Sequence, residues 1–480
     1  MTKPTDETLQ EAYRTGREWK HAPDPEYQSA IVRSVLEGID SPPPSTGGGG
    51  EGDYSDFIEQ RSVVWSLSEP ARVGRYVTGD WWVVGPITVD DILPSYFSSS
   101  GRAMHGSMLN PRVGWIGGGG PGAGWAQGFD SSCKDGNVYN PELNVALRLP
   151  LRLMPGHSLV SCKSNPEPGK RPQILELEIL TVVSEPPPEN SFRPPPYGRW
   201  DQWWPGATYD GWLPETRRWP EAVLTAVPIA GSDIKDNWVE PKRAVGYPWF
   251  HAAPDPAARP THPAENMPVY GAEMADAGGA CALHSMDELW SESYRRQIVI
   301  GLTQIGVDFY GVTRCQGFTD DHWLIGGGHA SGVIGPILYA SEVLLRSNQE
   351  ETLWAEMMNI RISHPEITFN ETHQTYFRPD GTPDWCSQYA RSQEGCPQSW
   401  EDPDAKDIAY RTSDTARAWW GWATALEALG LRDAMNHEAF FEYQRRYYEE
   451  QVVKRGATAK QQTIATIPWT LECWKQLNGK

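Results

Sequence analysis

Hydrophobic positions recur with two different periods along this chain. From about residue 62 to 185, stretches such as SVVWSLS, RYVTGDWWVV and QILELEIL alternate apolar with polar residues, and Gly, Pro, Asn or Asp bound them. Such alternation is typical of β-strands joined by turns. In QILELEIL, Leu177 and Ile179 share one face, and Glu176 and Glu178 share the other. Short strands at this spacing predict an antiparallel β-sandwich.

A helical period begins near residue 269. Apolar residues recur every three to four positions in SMDELWSESYRRQIVIGLTQIG, VIGPILYASEVLL and TARAWWGWATALEALG, which predicts amphipathic helices. We expect antiparallel helical hairpins, of which a partial (α/α) toroid is one arrangement. The predicted fold class is therefore α+β multidomain, with an N-terminal antiparallel β-sandwich followed by a C-terminal helical, toroid-like domain.

Two segments of irregular composition divide the chain into four predicted parts. Residues 1–60 join a helical segment to the linker SPPPSTGGGGEGD, whose prolines and glycines cannot continue a helix or a strand. Residues 61–185 form the sandwich domain. Residues 186–268 are rich in Pro and Trp, and we interpret them as an irregular strap that forms a cleft wall. Residues 269–480 form the helical domain.

Charge and cysteine content narrow the function. The net charge is −20, with 62 acidic against 42 basic residues and no basic cluster, so nucleic acid is not expected as a partner. No stretch approaches the roughly 18 to 20 apolar residues of a membrane helix, and the N-terminus lacks a signal-peptide pattern. We expect a soluble protein that is cytoplasmic or released by lysis. The seven cysteines show no CxxC spacing, so we expect free thiols and no metal or cofactor.

Tryptophan is the unusual component, with 23 residues. A Trp ring offers a flat apolar face on which sugar rings stack, although a single Trp is more often part of a core. The cluster in WDQWWPG favours the sugar interpretation. A polysaccharide is therefore the predicted partner, and Trp203 and Trp204 are predicted to bind it.

The stretch DDHWLIGGGHASGVIG carries the main candidate for catalysis. Three glycines and His329 precede a helix predicted to begin near Ser331. The glycines allow close backbone approach, and the positive end of the helix dipole disfavours the imidazolium form of His329. A neutral His329 accepts a proton, so we predict it as a general base. The alternative is a histidine that only caps the turn.

Two further stretches, GVDFYG before the glycine-rich loop and NETHQTYF after it, carry side chains that fit the catalytic groups of either of two reactions. A polysaccharide lyase needs a base, an acid and a group that neutralises a uronate carboxylate. His329, with Tyr310 or Tyr376 as the acid and Gln374 or Asn266 on the carboxylate, fits this scheme.

A glycoside hydrolase needs two carboxylates instead. Asp308 with Glu371 fits that scheme, and Glu342, which lies within a predicted helix, is the alternative to Glu371. The alternative for each carboxylate is a helix cap or a solvated charge. His322 and Trp323 adjoin the glycine-rich loop, and we predict that they bind substrate.

The motifs GDWWVVGPITV, HGSMLNP, LPLRLMPGHSLVS and GGGHASGVIGPILYA resemble those of a class of two-domain bacterial proteins with a β-rich N-terminal part and a helical C-terminal part. The resemblance covers about residues 62 to 380 and brings no established activity. This architecture is similar to that of carbohydrate-active enzymes that join a β-sandwich to an (α/α) barrel. This architectural analogy, together with the candidate residues, favours a polysaccharide lyase or glycoside hydrolase with a cleft at the rim of the helical domain. The alternative is a non-catalytic virion structural or carbohydrate-binding protein.

Replacing His329 tests the predicted base. His329→Ala should lower turnover by about two to four powers of ten, as loss of a general base does, and should leave folding almost unchanged. Specific activity and melting temperature measure the two effects. An active but destabilised variant would show that His329 is a capping residue.

Overall fold

The computed structural model confirms the division into a β-rich N-terminal part and a helical C-terminal part. It describes residues 53–99, 101–114, 124–133, 137–167, 171–200, 207–220, 227–228, 238–253, 261–263, 267–268, 270–315, 323, 331–348, 351–360, 376–377, 383–384, 416–435, 437–454, 456, 465 and 467–480. The predicted N-terminal helical segment and the linker before Asp53 lie outside these ranges, whereas the last residues of that predicted part, Tyr54–Gln60, form a strand.

The strands are concentrated before residue 184. They are β1 (Tyr54–Gln60), β2 (Val63–Arg75), β3 (Trp81–Val84), β4 (Ile87–Leu93), β5 (Phe97–Ser99), β6 (Arg102–Met104), β7 (Ser107–Leu109), β8 (Trp125–Gln127), β9 (Asn137–Tyr139), β10 (Leu151–Leu153), β11 (Ser158–Ser164) and β12 (Ile174–Val183). Short pairs follow at β13 (Val227–Pro228) with β14 (Trp238–Val239) and at β15 (Tyr376–Phe377) with β16 (Pro383–Asp384).

The helices follow in the C-terminal half. They are α1 (Pro241–Val245), α2 (Gly271–His284), α3 (Glu292–Thr313), α4 (Ser331–Asn348), α5 (Glu351–Met358), α6 (Trp420–Ala428), α7 (Arg432–Met435), α8 (Glu438–Tyr447) and α9 (Pro468–Leu477). The start of α4 agrees with the helix predicted after the glycine-rich loop. None of the described helices combines the length and the apolar character that crossing a membrane requires.

The principal sheet is curled into a half-barrel. Seven strands run in the order β10-β4-β2-β3-β12-β11-β7, and β1 pairs with β2. The long strand β2 makes the curl possible: its residues Val64–Leu67 pair with β4, whereas Val73–Arg75 pair with β3. The described strands therefore form one main sheet around its own core, and the predicted sandwich of two packed sheets is not confirmed.

Strand β12 is buried on both faces. Leu180 and Val182 contribute to the core inside the curled sheet, whereas Leu177 and Ile179 belong to the larger core that the helices share. The alternation in the sequence correctly separates these two faces. However, Glu178 on the polar face is fully buried, and Arg61 in the β1–β2 turn binds both of its carboxylate oxygens.

Tryptophan packs against glycine in the helical part. Helix α2 contacts both α4 and α6. Trp422 of α6 packs against glycines of α2 and α4. A Cβ at Gly335 of α4 would be 2.3 Å from Cε2 of Trp422, and one at Gly278 of α2 would be 2.9 Å from its Cζ2. The glycines thus make room for the indole. Trp422 belongs to the core, and closure of the helices into a toroid is not confirmed.

Arg193 connects the sheet to the helices. Its fully buried guanidinium donates from Nε to Asp80 Oδ2 (3.0 Å), just before β3, and from Nη1 and Nη2 to Asp308 in α3 (3.1 and 2.6 Å). Gln304, one turn earlier in α3, accepts from the main-chain N–H of Arg193 and donates to Asp308 (3.0 Å). The Pro-rich strap is therefore tied to both parts of the fold.

Truncating Arg193 should destabilise the protein strongly. Arg193→Ala leaves two buried carboxylates without their cation, so we expect the free energy of unfolding to fall by about 3–5 kcal/mol. Arg296→Ala is the matched control, because Arg296 lies on the same helix α3 and pairs with Glu292 at an exposed site. The control should cost less than about 1 kcal/mol. Denaturant unfolding measures both variants, and equal losses would contradict the assigned role of Arg193.

Candidate functional site

The structure describes the side chains of three predicted site residues, Asp308, Tyr310 and Trp323, and the backbone of Tyr376 in β15. The other predicted site residues lie outside the described residues: His329, Glu371, Trp203, Trp204, Asn266, His322 and Gln374. Their roles stay predictions.

Asp308 is part of the ion pair that joins the two halves of the fold. Both of its oxygens accept hydrogen bonds from Arg193, and Oδ1 also accepts one from Gln304. Burial raises the pKa of Asp308 to about 6, against the opposing charge of Arg193, so the carboxylate is ionised at neutral pH. These contacts account for Asp308 as a structural anion, and its predicted role in a hydrolase gains no support.

Tyr310 follows Asp308 by two residues on α3 and is almost fully buried. Its hydroxyl donates to Glu356 Oε2 of α5 (2.6 Å), and the guanidinium carbon of Arg314 lies 5.9 Å from the centre of its ring. Burial, together with the hydrogen bond to Glu356, holds the pKa of Tyr310 well above its usual value. Tyr310 therefore keeps its proton at neutral pH, as a general acid must.

Trp323 stacks on a histidine that the sequence analysis did not select. Its ring is 5.7 Å from that of His251 with an interplanar angle of 9°, and Phe309 of α3 lies edge-on to it at 6.2 Å. Trp323 is fully buried. One face of its indole therefore covers an imidazole.

His251 is hydrogen-bonded to a second histidine. Its Nδ1 lies 2.8 Å from Nε2 of His262, and Nδ1 of His262 lies 2.9 Å from the main-chain oxygen of Pro268. Both rings are 1% exposed. Two imidazoles and a carbonyl thus form a continuous chain of hydrogen bonds in the larger core.

Tyr197 holds the strap at this position. Its hydroxyl accepts a hydrogen bond from the main-chain N–H of His251 (3.1 Å), and its ring packs against Phe250 at 5.4 Å. The Sγ of Cys315, just beyond α3, donates to the carbonyl of Tyr197 (3.2 Å). Since Tyr197 follows Arg193 by four residues, the ion pair of Arg193 fixes the segment that supports His251.

The pair of histidines had only a weak signal in the sequence. The segment HAAPDPAARPTHP has a proline directly after His262 and another three residues after His251, but no helical or strand period. Prolines restrict such a segment to extended or turn conformations. That restriction favours a rigid strap, but it does not indicate which side chains meet.

The polar residues of the β-rich loops do not form a comparable site. Gln127, Asp130 and Asn144 are fully buried, and their side chains bind neighbouring groups. Asn144 Oδ1 accepts from the main-chain N–H groups of Ser107 and Ala146, and Asp130 accepts two hydrogen bonds from the Arg102 guanidinium. These residues shape turns, as the sequence indicates for most of them.

The described residues contain no group of three or more His, Cys, Asp and Glu side chains that is suited to a metal ion. None of the described cysteines is in a disulfide. Comparison of the chain with family models, with curated protein sequences and with solved structures gives no match. The fold and the site therefore define only an α+β protein with a curled sheet, a helical part and a buried pair of histidines.

Another buried ionisable group lies just beyond the end of α2. The Asp287 side chain is fully buried; its Oδ1 accepts from the main-chain N–H of Leu289 (3.0 Å), and its Oδ2 has no hydrogen-bond partner among the described residues. Burial raises the pKa of Asp287 to about 6, and the hydrogen bond from Leu289 and the charge of Arg295 offset this effect only partly. Between about pH 4 and 6, the folded protein therefore retains a proton that the unfolded chain releases.

Asp287→Asn should remove a pH dependence of stability. Because the folded pKa of about 6 lies above the unfolded value of 3.8, the wild-type protein loses stability as the pH rises from about 4 to 6, by about 3 kcal/mol in all. The Asn variant keeps the acceptor for Leu289, so it should be the more stable protein at pH 7.5. Urea unfolding at several pH values measures this. Glu288→Gln, at the half-exposed neighbouring residue, is the control, and a variant with the wild-type pH slope would contradict the assignment.

Proposed function

We propose that the protein acts on a polysaccharide by proton transfer, as a lyase in preference to a hydrolase. The observation that carries the proposal is the hydrogen-bonded pair of imidazoles, His251 and His262, of which His251 stacks on the indole of Trp323. Imidazole is the side chain best suited to exchange a proton near neutral pH. The aromatic wall formed by Trp323 and Phe309 supplies the apolar surroundings in which such a group acts.

The choice of a lyase follows from the state of the carboxylates. A hydrolase needs two carboxyl groups that face the substrate, whereas Asp308 is committed to Arg193. A lyase needs a base that removes the proton next to a uronate carboxylate. The bond from the neighbouring carbon to the leaving oxygen then breaks as a C=C bond forms, and an acid protonates that oxygen. Tyr310 and Tyr376 are the predicted acids.

The two-part architecture supports the proposal at a coarse level. Some carbohydrate-active enzymes join a β-sandwich to an (α/α) barrel, and this chain also pairs a β-rich part with a helical part. The proposed enzyme has a β-sandwich, a toroid of helices and a cleft at the rim of the helical part. Fold analogy of this kind raises the expectation of an activity but does not identify it.

A non-catalytic role in binding or assembly is the second candidate. The β-rich part exposes large apolar side chains, with Tyr54 and Phe57 of β1 at 72% and 51% and Phe97 of β5 at 55%. Apolar groups of this size on a surface are typical of contacts with another molecule when they are contiguous. A virion structural protein or a carbohydrate-binding protein would use such a surface.

A panel of polysaccharides tests the proposal. Purified protein is incubated with uronate-containing and neutral polysaccharides, and both the ultraviolet absorbance of unsaturated products and the number of reducing ends are measured. We expect unsaturated products from a uronate-containing polymer. His251→Ala should lower this turnover by about two to four powers of ten.

His284→Ala is the matched control for His251→Ala. His284 is also buried and also stacks on a tryptophan, Trp469, with ring centres 4.3 Å apart. Both variants lose a buried ring, so both should lower the melting temperature, but only His251→Ala should lower the activity of the folded protein. Equal activity per folded molecule in the two variants would assign His251 to packing. Reducing ends without unsaturation would indicate a hydrolase, and absence of both products would favour the non-catalytic candidate.

A further inference from the structure

We infer that Arg314 binds a carboxylate of the substrate, and that the substrate is a polyuronate whose carboxyl groups are not esterified. The catalytic part of this inference rests on the proposed function. The binding part depends only on a half-exposed ion pair, in which Glu356 is the partner of Arg314. The carboxylate of the substrate takes the place of Glu356 when it binds.

The ion pair of Arg314 with Glu356 lies at the surface, where α3 ends beside α5. Arg314 directly follows α3, and Glu356 lies in α5. The two side chains are 54% and 46% exposed, and Nη1 of Arg314 lies 3.7 Å from Oε2 of Glu356. This distance is longer than a hydrogen bond. A ligand can therefore reach the guanidinium from solvent without entering the core.

Arg314 is held less firmly than the arginines that support the fold. Arg193 and Arg61 each donate to both oxygens of a buried carboxylate. Exchange of either partner would leave a buried charge uncompensated. An exposed ion pair contributes little to stability, so Arg314 can exchange Glu356 for a carboxylate of the substrate at little cost.

The charge of the whole chain makes a local cation necessary for an acidic substrate. The net charge of −20 repels a polyanion at long range. Salt screens that repulsion beyond roughly 8 Å under physiological conditions, whereas a contact between a guanidinium and a carboxylate is screened much less. Recognition of a polyuronate therefore depends on an arginine that touches it.

Glu356 also connects Arg314 to the predicted acid, Tyr310. The Tyr310 hydroxyl donates to the same oxygen, Oε2 of Glu356 (2.6 Å), and the guanidinium carbon of Arg314 lies 5.9 Å from the centre of the Tyr310 ring. Both groups thus lie within the length of one sugar unit. In a polyuronate, the carboxyl group and the leaving oxygen are attached to adjacent ring carbons. A sugar bound to Arg314 by its carboxylate therefore has its leaving oxygen near Tyr310.

A guanidinium on the carboxylate also assists the elimination. When the proton leaves the carbon next to the carboxylate, negative charge moves onto the carboxylate oxygens. Arginine stabilises that charge with two parallel charge-assisted hydrogen bonds. No bond to Arg314 forms or breaks, and its charge stays the same throughout. A methyl ester carries no charge for Arg314 to bind, so an esterified polymer should be a poor substrate.

Binding of short uronate oligomers tests the inference. The probes are trimers of galacturonate, mannuronate and glucuronate, each with its methyl ester as the uncharged counterpart. Ligand-observed NMR measures Kd and reports any cleavage in the same sample. We expect at least one acidic trimer to bind the wild-type protein about tenfold more tightly than its ester. Arg314→Gln should weaken binding of that trimer about tenfold and leave binding of the ester unchanged.

Glu356→Gln should have the opposite effect on binding. The glutamine oxygen still accepts from Tyr310, but the charge that competes for Arg314 is lost, so the acidic trimer should bind about threefold more tightly. A purely structural ion pair would not give opposite signs for its two partners. Arg218→Gln is the matched control, because Arg218 lies 3.8 Å from Glu288 in another exposed pair, and it should leave Kd unchanged. Melting temperatures should change little in all three variants.

The outcomes separate the inference from the proposed function. Equal Kd values for every acidic trimer and its ester overturn the inference, as does an Arg314→Gln variant that keeps the preference or a Glu356→Gln variant that binds more weakly. The expected affinities without unsaturated products from any polyuronate overturn the proposed lyase and leave Arg314 as a carboxylate-binding residue. In an active lyase, Arg314→Gln should lower kcat/KM at least about tenfold, and an unchanged kcat/KM overturns the inference alone.

Discussion

The ion pair of Arg193 with Asp80 and Asp308 is the contact on which the arrangement of this protein depends. A buried guanidinium loses its hydration, and only close carboxylates with good geometry compensate for that loss. Asp80 directly precedes strand β3 of the sheet, and Asp308 lies in helix α3. The pair is therefore satisfied only when the strap, the sheet and the helix meet in one register, and any other docking of the two parts would leave a buried charge without a partner.

The same contact determines what the strap brings to the helices. Tyr197 follows Arg193 closely, and its hydroxyl supports the main chain of His251, which faces Phe309 of the helix that carries Asp308. The histidine pair thus lies in the core directly beside the charged connection. A site built in this way is rigid, because its supports are an ion pair, prolines and stacked rings. Rigidity suits a group that must hold one orientation during proton transfer, which is the basis of the proposed acid–base role.

Tryptophan content had suggested a protein that stacks sugars, but the described tryptophans serve mainly in packing. Trp65, Trp249 and Trp422 are fully buried, and Trp422 occupies space that Gly278 and Gly335 leave open. When an aromatic ring packs against glycines, the helices can approach closely, because no second large side chain occupies the interface. Trp203 and Trp204 lie outside the described residues, so their role as sugar-binding residues stays a prediction.

The sequence by itself determined the two periods, and with them the β-rich N-terminal part, the helical C-terminal part and the helix that begins at Ser331. These features depend on interactions between residues a few positions apart. Tertiary structure decided the curling of the sheet, since one long strand pairs with different partners along its length. It also buried Glu178 against Arg61 and brought His251 to His262. The pattern of adjacent residues in the sequence specifies which face of a strand or helix a side chain lies on. The charged group or ring that packs against that face comes from a distant part of the chain.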